Sequence, residues 1–175
     1  MPVPLRRAAV LVPYVEDAAA GPSLVFILRT NHGPHGGQVA FPGGVQQAGD
    51  ADAAATALRE FEEELGVPRD VVRVLDIFPE MLTVTTGYEV TPVIGRIPDG
   101  LAWRPDPREV AEVLQVPIAD LLRAENRREI DVHDSGGATP RRFPAIEAGG
   151  RTIWGLTLRI LERVLPRWTA PGTPR

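Results

Sequence analysis

The chain has 175 residues, no cysteine and a formal net charge of -4. This length is enough for one domain with a hydrophobic core, and the lack of cysteine excludes a disulfide framework and thiol chemistry. The negative charge argues against nonspecific nucleic-acid binding, so we expect no stable nucleic-acid partner. All 19 basic residues are arginine, which excludes a lysine phosphate clamp.

The sequence also contains no apolar run long enough to cross a membrane, and its first residues do not resemble a secretory signal. We therefore expect a cytoplasmic protein with no membrane partner. We find no internal repeat, and we expect a single domain over residues 1–175 with loose termini at 1–5 and 166–175.

Two strands are predicted before the first long loop. Residues 6–14 (RRAAVLVPY) and 23–30 (SLVFILRT) are mostly apolar runs of the kind found in buried strands. Arg29, near the end of the second run, is either a surface residue or a phosphate contact. The loop over residues 31–36 carries His35, which either caps the backbone or contacts a substrate.

A glycine loop and a helix follow. Residues 42–44 (Pro-Gly-Gly) form a tight loop in which the backbone can approach a ligand closely. Asp50 and Asp52 are candidate N-caps, and the alanine-rich run over residues 51–58 favours a helix. Gly66 is the expected end of this helix.

The predicted helix carries three glutamates, Glu60, Glu63 and Glu64, at i, i+3 and i+4. They share one face and repel one another, whereas Phe61 and Leu65 face the core. A divalent cation such as Mg²⁺ between the carboxylates offsets this repulsion, because it prefers oxygen ligands. The alternative is a solvated acidic face favoured by the helix dipole.

The second half of the chain alternates strands and helices. We predict strands over residues 71–78 and 88–96, joined by a loop over residues 80–87. Residues 108–116 fit a strand or a short helix, and residues 117–125 fit a short helix with Pro117 at its first position. Residues 126–149 fit two short strands and a turn, and residues 154–165 fit an amphipathic helix. Tyr88 either stacks on an adenine or packs on its neighbours.

The stretch from residue 44 to residue 67 resembles the Nudix box, G-x5-E-x7-R-E-U-x-E-E-x-G-U, in which U is a bulky apolar residue. The matching residues are Gly44, Arg59, Glu60, Phe61, Glu63, Glu64, Gly66 and Val67. Asp50 stands at the first acidic position, and the run after it is one residue longer than in the pattern. This spacing is similar to that of the coenzyme A pyrophosphatase subfamily.

Three other segments resemble the same subfamily: GQVAFPGG at residues 37–44, TGYEVTPVIG at residues 86–95 and IWGLT at residues 153–157. The loop over residues 31–36 departs from it. Gly33-Pro34 stands where the subfamily has Leu-Arg, so a second phosphate-facing arginine is absent.

The resemblance implies a fold and a reaction. The fold is of the α/β type, an α/β/α sandwich with a mixed β-sheet. The reaction is metal-assisted hydrolysis of a nucleoside diphosphate linked to another group, with Mg²⁺ or Mn²⁺ as cofactor. If the substrate is coenzyme A, the products are phosphopantetheine and adenosine 3′,5′-bisphosphate. ADP-ribose, an ADP-sugar or another nucleoside diphosphate derivative is the alternative, and a binding module without catalysis is a third hypothesis.

The resemblance also implies roles for individual residues. The expected metal ligands are Glu60, Glu63, Glu64 and the backbone carbonyl of Gly44. The expected catalytic residues are Glu60, Glu63, Arg59 and Glu109, with Arg59 pairing with a carboxylate and Glu60 or Glu109 accepting the proton of the water. Glu112 competes with Glu109 for this role. The expected substrate contacts are Arg29, His35, Gln38, Gly43 and Tyr88. Related enzymes often dimerise, so a homodimer is a possible assembly.

Overall fold

The computed structural model describes residues 5–19, 21–31, 36–83, 87–133 and 140–169. The strands are β1 (Arg6–Val15), β2 (Ser23–Arg29), β3 (Val39–Ala40), β4 (Gly43–Val45), β5 (Arg73–Ile77), β6 (Met81–Leu82), β7 (Tyr88–Ile97), β8 (Val110–Pro117), β9 (Arg127–Val132), β10 (Arg141–Ala148) and β11 (Arg151–Trp154). The α-helices are α1 (Ala53–Leu65), α2 (Ile118–Leu122), α3 (Gly155–Val164) and α4 (Pro166–Thr169). Short 3-10 helices cover Arg69–Val71 and Ala124–Asn126.

The larger sheet is mixed and is centred on β1. It has the order β3-β2-β1-β7-β5, and β4, β6 and β8 pair with β1, β7 and β2. Strand β1 runs parallel to β7 from the pair Arg6–Tyr88 to the pair Val15–Ile97, and antiparallel to β2 and β4. Strands β9, β10 and β11 form a separate antiparallel sheet, which was not predicted as such.

Helix α1 covers one face of the larger sheet. Successive side chains of a strand lie on opposite faces of the sheet, so every second residue of the central strands faces α1. The apolar residues of α1 pack on these side chains. The side chains of this core include Ala9, Leu11, Val25, Ile27, Ala57, Phe61, Leu65 and Val93, all of them fully buried. Burial of this stripe fixes the rotation of α1, and therefore fixes where its glutamates lie.

Helix α3 and the second sheet cover the opposite face. Their buried residues pack with the other set of alternating side chains from the central strands, among them Val12, Tyr14, Leu24, Phe26, Ile94, Ile146, Ile153, Ile160 and Leu161. Helices therefore lie on both faces of a mixed sheet, which confirms the predicted fold class.

Several local features differ from the predictions. Met81–Leu82 forms a short strand inside the expected loop, because it pairs with β7. Pro117 is the N-cap of α2 rather than its first residue. The expected loose tail begins with a helical turn, α4, because Trp168 packs on Tyr14 with 5.2 Å between ring centroids. Residues 1–4 and 170–175 lie outside the described residues.

The pattern of residues 108–116 fitted either a strand or a short helix. The structure shows a strand, because these residues contain most of β8. Within the described ranges, no helix is both long enough and apolar enough to span a membrane.

Candidate active site

Helix α1 has well-defined ends. Asp52 is its N-cap, and the Asp52 carboxylate accepts a hydrogen bond of 2.8 Å from the backbone N–H of Ala55. Gly66 ends the helix in the left-handed conformation with φ of 63°, and its N–H donates to the carbonyl of Glu62. A Cβ at Gly66 would lie 2.3 Å from the carbonyl oxygen of Arg104, so a larger residue does not fit there.

Arg59 is the centre of a buried network. The residue is only 9% exposed, and its side chain donates to the Asp50 carboxylate through Nε and Nη2, both at 3.0 Å. Nη1 donates to Glu60 at 2.8 Å and to Glu63 at 2.9 Å. Nη2 also donates to the carbonyl of Val45 at 3.0 Å. The guanidinium therefore joins the loop before α1 to two of the three glutamates, and all five of its N–H groups have acceptors.

Asp50 anchors this arginine and does not cap the helix. Besides Arg59, its carboxylate accepts from the backbone N–H of Gln47 at 2.9 Å and the hydroxyl of Thr56 at 3.0 Å. The bonds from Arg59, with smaller contributions from Gln47 and Thr56, hold the pKa of the Asp50 carboxyl well below its usual range. The N-cap prediction was therefore right for Asp52 and wrong for Asp50.

Glu64 is almost completely buried, with 2% of the residue exposed. Its Oε2 accepts a hydrogen bond of 2.9 Å from the backbone N–H of Gly43, and its Oε1 lies 3.8 Å from Nη1 of Arg29. Burial raises the pKa of the Glu64 carboxyl to about 8, against the opposing effects of Gly43 and Arg29. This carboxyl therefore keeps its proton to a higher pH than an exposed glutamate does.

Glu60 lies against residues 42–44, the glycine loop of the sequence analysis, in which Gly43 and Gly44 belong to strand β4 because they pair with β1. A Cβ added to Gly44 would lie 2.4 Å from Oε1 of Glu60, so only glycine leaves room for this carboxylate. Burial raises the pKa of Glu60, Arg59 lowers it, and the charges of Glu63 and Glu109 raise it further. The backbone of residues 43 and 44 therefore lies against the carboxylates of both Glu60 and Glu64.

Glu109 belongs to this group, and Glu112 does not. The charge of Glu109 raises the pKa of both Glu60 and Glu64, as the smallest of the effects on each, so the three carboxylates repel one another. Glu112, in contrast, accepts a hydrogen bond from Arg151 on β11. The backbone holds Glu109 near Arg29, because the backbone N–H of Thr30, the next residue, donates to the carbonyl of Glu109.

The donor set suits a hard divalent cation, although the side chains do not converge on one point. Across the ranges that the structure describes, no three His, Cys, Asp or Glu side chains are arranged to hold a metal ion together. The reason is local: Arg59 holds Glu60 and Glu63, while Glu64 turns toward Gly43. These side chains suit a divalent cation because of their chemical type: they are carboxylate oxygen donors, and a cation relieves their mutual repulsion.

The expected substrate contacts lie in different places. Arg29 is on the α1 side of the sheet beside Glu64, and its N–H donates to the carbonyl of Gln38 at 3.0 Å. Tyr88 lies on the opposite face of the sheet, by the alternation of β7. The Tyr88 hydroxyl accepts from Arg6 at 2.9 Å, and the Arg6 guanidinium lies 5.2 Å from the ring centroid. His35 lies outside the described residues.

Sequence reasoning missed three parts of this site. The hydroxyl of Thr56 and the carbonyl of Val45 complete the network around Asp50 and Arg59, and Arg6 packs on Tyr88. Periodicity contains no signal for these contacts, because each depends on how the chain folds outside a single helix or strand.

Comparisons with known proteins show the family of the chain. The family model described as the NUDIX domain matches residues 5–133. A protein named "Uncharacterized Nudix hydrolase NudL" from Salmonella newport is 38% identical over 160 residues, which cover 91% of this chain and 81% of that protein.

Solved structures show the same fold. The Nudix hydrolase RenU of M. smegmatis aligns with a TM-score of 0.57 and 21% identity, over 68% of this chain and 74% of that chain. An Ap4A hydrolase of C. elegans aligns with a TM-score of 0.55 and 16% identity, over 69% of this chain and 88% of that chain. The chain therefore belongs to the Nudix hydrolases, a family that acts on phosphoanhydride bonds and generally uses divalent metal ions.

Proposed function

We propose that the protein is a metal-dependent pyrophosphohydrolase that cleaves the diphosphate of coenzyme A or its derivatives. Hydrolysis of that bond adds one water and yields phosphopantetheine and adenosine 3′,5′-bisphosphate. The observation that carries the catalytic part of the proposal is the contact between the glycine loop and α1. The N–H of Gly43 binds Glu64, and the missing side chain of Gly44 makes room for Glu60.

The proposed metal ligands are Glu60, Glu63, Glu64 and the carbonyl oxygen of Gly44, with Mg²⁺ or Mn²⁺ as the ion. When bound, such an ion neutralises charge on the diphosphate oxygens and lowers the pKa of a bound water. Arg59 orients the carboxylates: its ion pairs with Glu60 and Glu63 set their rotamers, while Asp50 holds the guanidinium in place.

A carboxylate is needed to accept the proton of the attacking water. Glu60 and Glu109 are the two candidates, and both lie in the group of mutually repelling carboxylates. Replacing Glu109 by Gln tests this role, with Glu112→Gln as the matched control, because Glu112 pairs with Arg151. Loss of turnover in Glu109→Gln alone assigns the base to Glu109, whereas wild-type turnover in that variant leaves Glu60.

The proposed substrate contacts are Arg29, Gln38, Gly43, His35 and Tyr88. Arg29 is the best supported, because its guanidinium lies beside Glu64 and is partly exposed, which suits a phosphate oxygen. Gly43 already donates its N–H to Glu64, so its contribution to substrate binding is through close approach of the backbone.

The choice of coenzyme A depends on the segment GQVAFPGG at residues 37–44. Gly33-Pro34 favours the alternative, a pyrophosphatase for ADP-ribose, an ADP-sugar or another nucleoside diphosphate derivative, because it removes an arginine expected to face phosphate. Residues 32–35 lie outside the described residues.

A substrate panel tests the proposal. The purified protein is incubated with coenzyme A, acyl-coenzyme A, ADP-ribose and an ADP-sugar, each with Mg²⁺ and with Mn²⁺, and the products are identified by mass. We expect phosphopantetheine and adenosine 3′,5′-bisphosphate as the main products. A clear preference for ADP-ribose ends the coenzyme A proposal, and nucleotide binding without metal-dependent turnover revives the hypothesis of a binding module.

Assembly and location are separate parts of the proposal. We propose a homodimer located in the cytoplasm. Sedimentation of the purified protein tests the first part, and fractionation of cells tests the second.

A further inference from the structure

Helix α3 makes side-chain hydrogen bonds to two separate segments of the larger sheet. In its first turn, the hydroxyl of Thr157 donates to the carbonyl of Val39 on β3 at 2.9 Å, and Thr157 is only 8% exposed. Two residues later, Nη1 of Arg159 donates to the carbonyl of Leu82 on β6 at 3.2 Å. The start of this helix therefore connects β3 to β6.

The connection to β6 is one of three contacts with the same stretch of chain. Arg159, Arg163 and Arg167 follow at intervals of four residues, so the first two lie one above the other on α3. Arg163 donates to the carbonyl of Pro79 at 3.3 Å, and Arg167 donates to the carboxylate of Asp76 at 2.7 Å. The three arginines therefore bind successive points of the segment that runs from the end of β5 to β6.

The two strands that α3 connects, β3 and β6, each lie next to a proposed substrate contact. Val39 directly follows Gln38 in the chain. Leu82 directly precedes Thr83, which is hydrogen-bonded to Tyr88 in both directions: the Thr83 N–H donates to the Tyr88 carbonyl at 2.8 Å, and the Tyr88 N–H donates to the Thr83 hydroxyl at 2.9 Å. Thr83 is therefore the single residue between Leu82 and the hydrogen-bonded backbone of Tyr88.

We infer that Thr157 and Arg159 are positioning residues that hold Gln38 and Tyr88 at a fixed separation for substrate binding. The inference rests on the proposed function, since it takes Gln38 and Tyr88 as substrate contacts. Neither positioning residue touches the carboxylates of α1, so their loss changes substrate affinity and leaves the chemical step intact.

The test compares four variants of the full-length protein with coenzyme A and ADP-ribose as substrates and Mg²⁺ as the ion. Arg159→Met removes the donor, and Arg159→Lys keeps one. Thr157→Val removes the hydroxyl at nearly constant shape. Arg127→Met is the control, because Arg127 pairs with Glu162 of α3 at 3.5 Å but reaches neither connected strand.

We expect KM to rise about fivefold in Arg159→Met and in Thr157→Val, as for the loss of one hydrogen bond, with kcat changed by less than about twofold. Arg159→Lys restores KM, and Arg127→Met leaves it unchanged. An unchanged KM in Arg159→Met overturns the inference. A fall in kcat together with the melting temperature also overturns it, because that result indicates a purely structural role.

Hydrogen exchange gives a readout that does not need turnover. The amides of Thr83 and Tyr88 exchange faster in Arg159→Met than in the wild type if Arg159 holds this pair, and at the wild-type rate if it does not. If the wild type hydrolyses neither substrate, the proposed function fails, and the exchange rates still decide whether Arg159 positions Tyr88.

Discussion

Replacing Gly44 by alanine separates catalysis from folding in this structure. The added Cβ would lie 2.4 Å from Oε1 of Glu60, whereas ordinary contact begins at 3.4 Å. The Glu60 carboxylate must therefore retreat by about 1 Å, and at a catalytic centre a displacement of about 1 Å costs about 100-fold in rate. The side chain can move, because Arg59 keeps its other acceptors. We expect turnover to fall about 100-fold while the protein stays folded.

The assay is the kcat of diphosphate hydrolysis with saturating Mg²⁺, combined with thermal unfolding. Gly49→Ala is the control in the turn that follows β4, since among the described residues other than its chain neighbours no heavy atom lies within 4 Å of its added Cβ. Gly43→Ala is the opposite control: its Cβ would lie 2.4 Å from the backbone oxygen of Ala9, which cannot yield, so stability falls. Wild-type turnover in Gly44→Ala refutes the reasoning, as does a loss of stability equal to that of Gly43→Ala.

Three further predictions follow from burial and charge. Phe61→Ala lowers the free energy of unfolding by about 3–5 kcal/mol, measured with urea, because Phe61 is fully buried against the sheet; a loss well below that range contradicts the packing described. Asp50→Asn lowers turnover about 10-fold to 100-fold by releasing Arg59, whereas Asp52→Asn keeps its N-cap and its activity; equal effects of the two variants contradict the role of Asp50 as an anchor. Burial raises the pKa of Glu64 from 4.5 to about 8, so between these values the folded protein holds a proton that the unfolded chain has lost. The free energy of unfolding of the metal-free protein therefore falls as pH rises from 4.5 to about 8, and Glu64→Gln loses that pH dependence. An identical pH profile in the variant contradicts the burial of the Glu64 carboxyl.

The elements with strong local signals were predicted well. Strands β1, β2 and β7 are long apolar runs, and α1 has both an N-cap at Asp52 and a glycine stop at Gly66. These signals are local because capping, left-handed glycine and apolar periodicity each depend on a few neighbouring residues. The box glutamates could therefore be placed on one helix from the sequence.

The parts that were missed depend on contacts between distant segments. The sequence does not show that Asp50 folds back to Arg59, because the bend depends on β4 pairing with β1. The choice between Glu109 and Glu112 depends on the irregular register of β8 beside β2, where pairing shifts between Leu28 and Arg29. The α4 turn likewise exists because Trp168 finds Tyr14 on the sheet.

Binding of Mn²⁺ to the purified protein is the sharpest test of cation binding by the carboxylates of α1, because it does not require the substrate to be known. We expect the wild type to bind Mn²⁺, and we expect Glu60→Gln and Glu64→Gln to weaken binding at least about tenfold without loss of fold. Glu62→Gln is the matched control on the same helix, since Glu62 pairs with Arg69 away from the glycine loop. Equal Mn²⁺ affinity in Glu60→Gln, Glu64→Gln and Glu62→Gln contradicts the account.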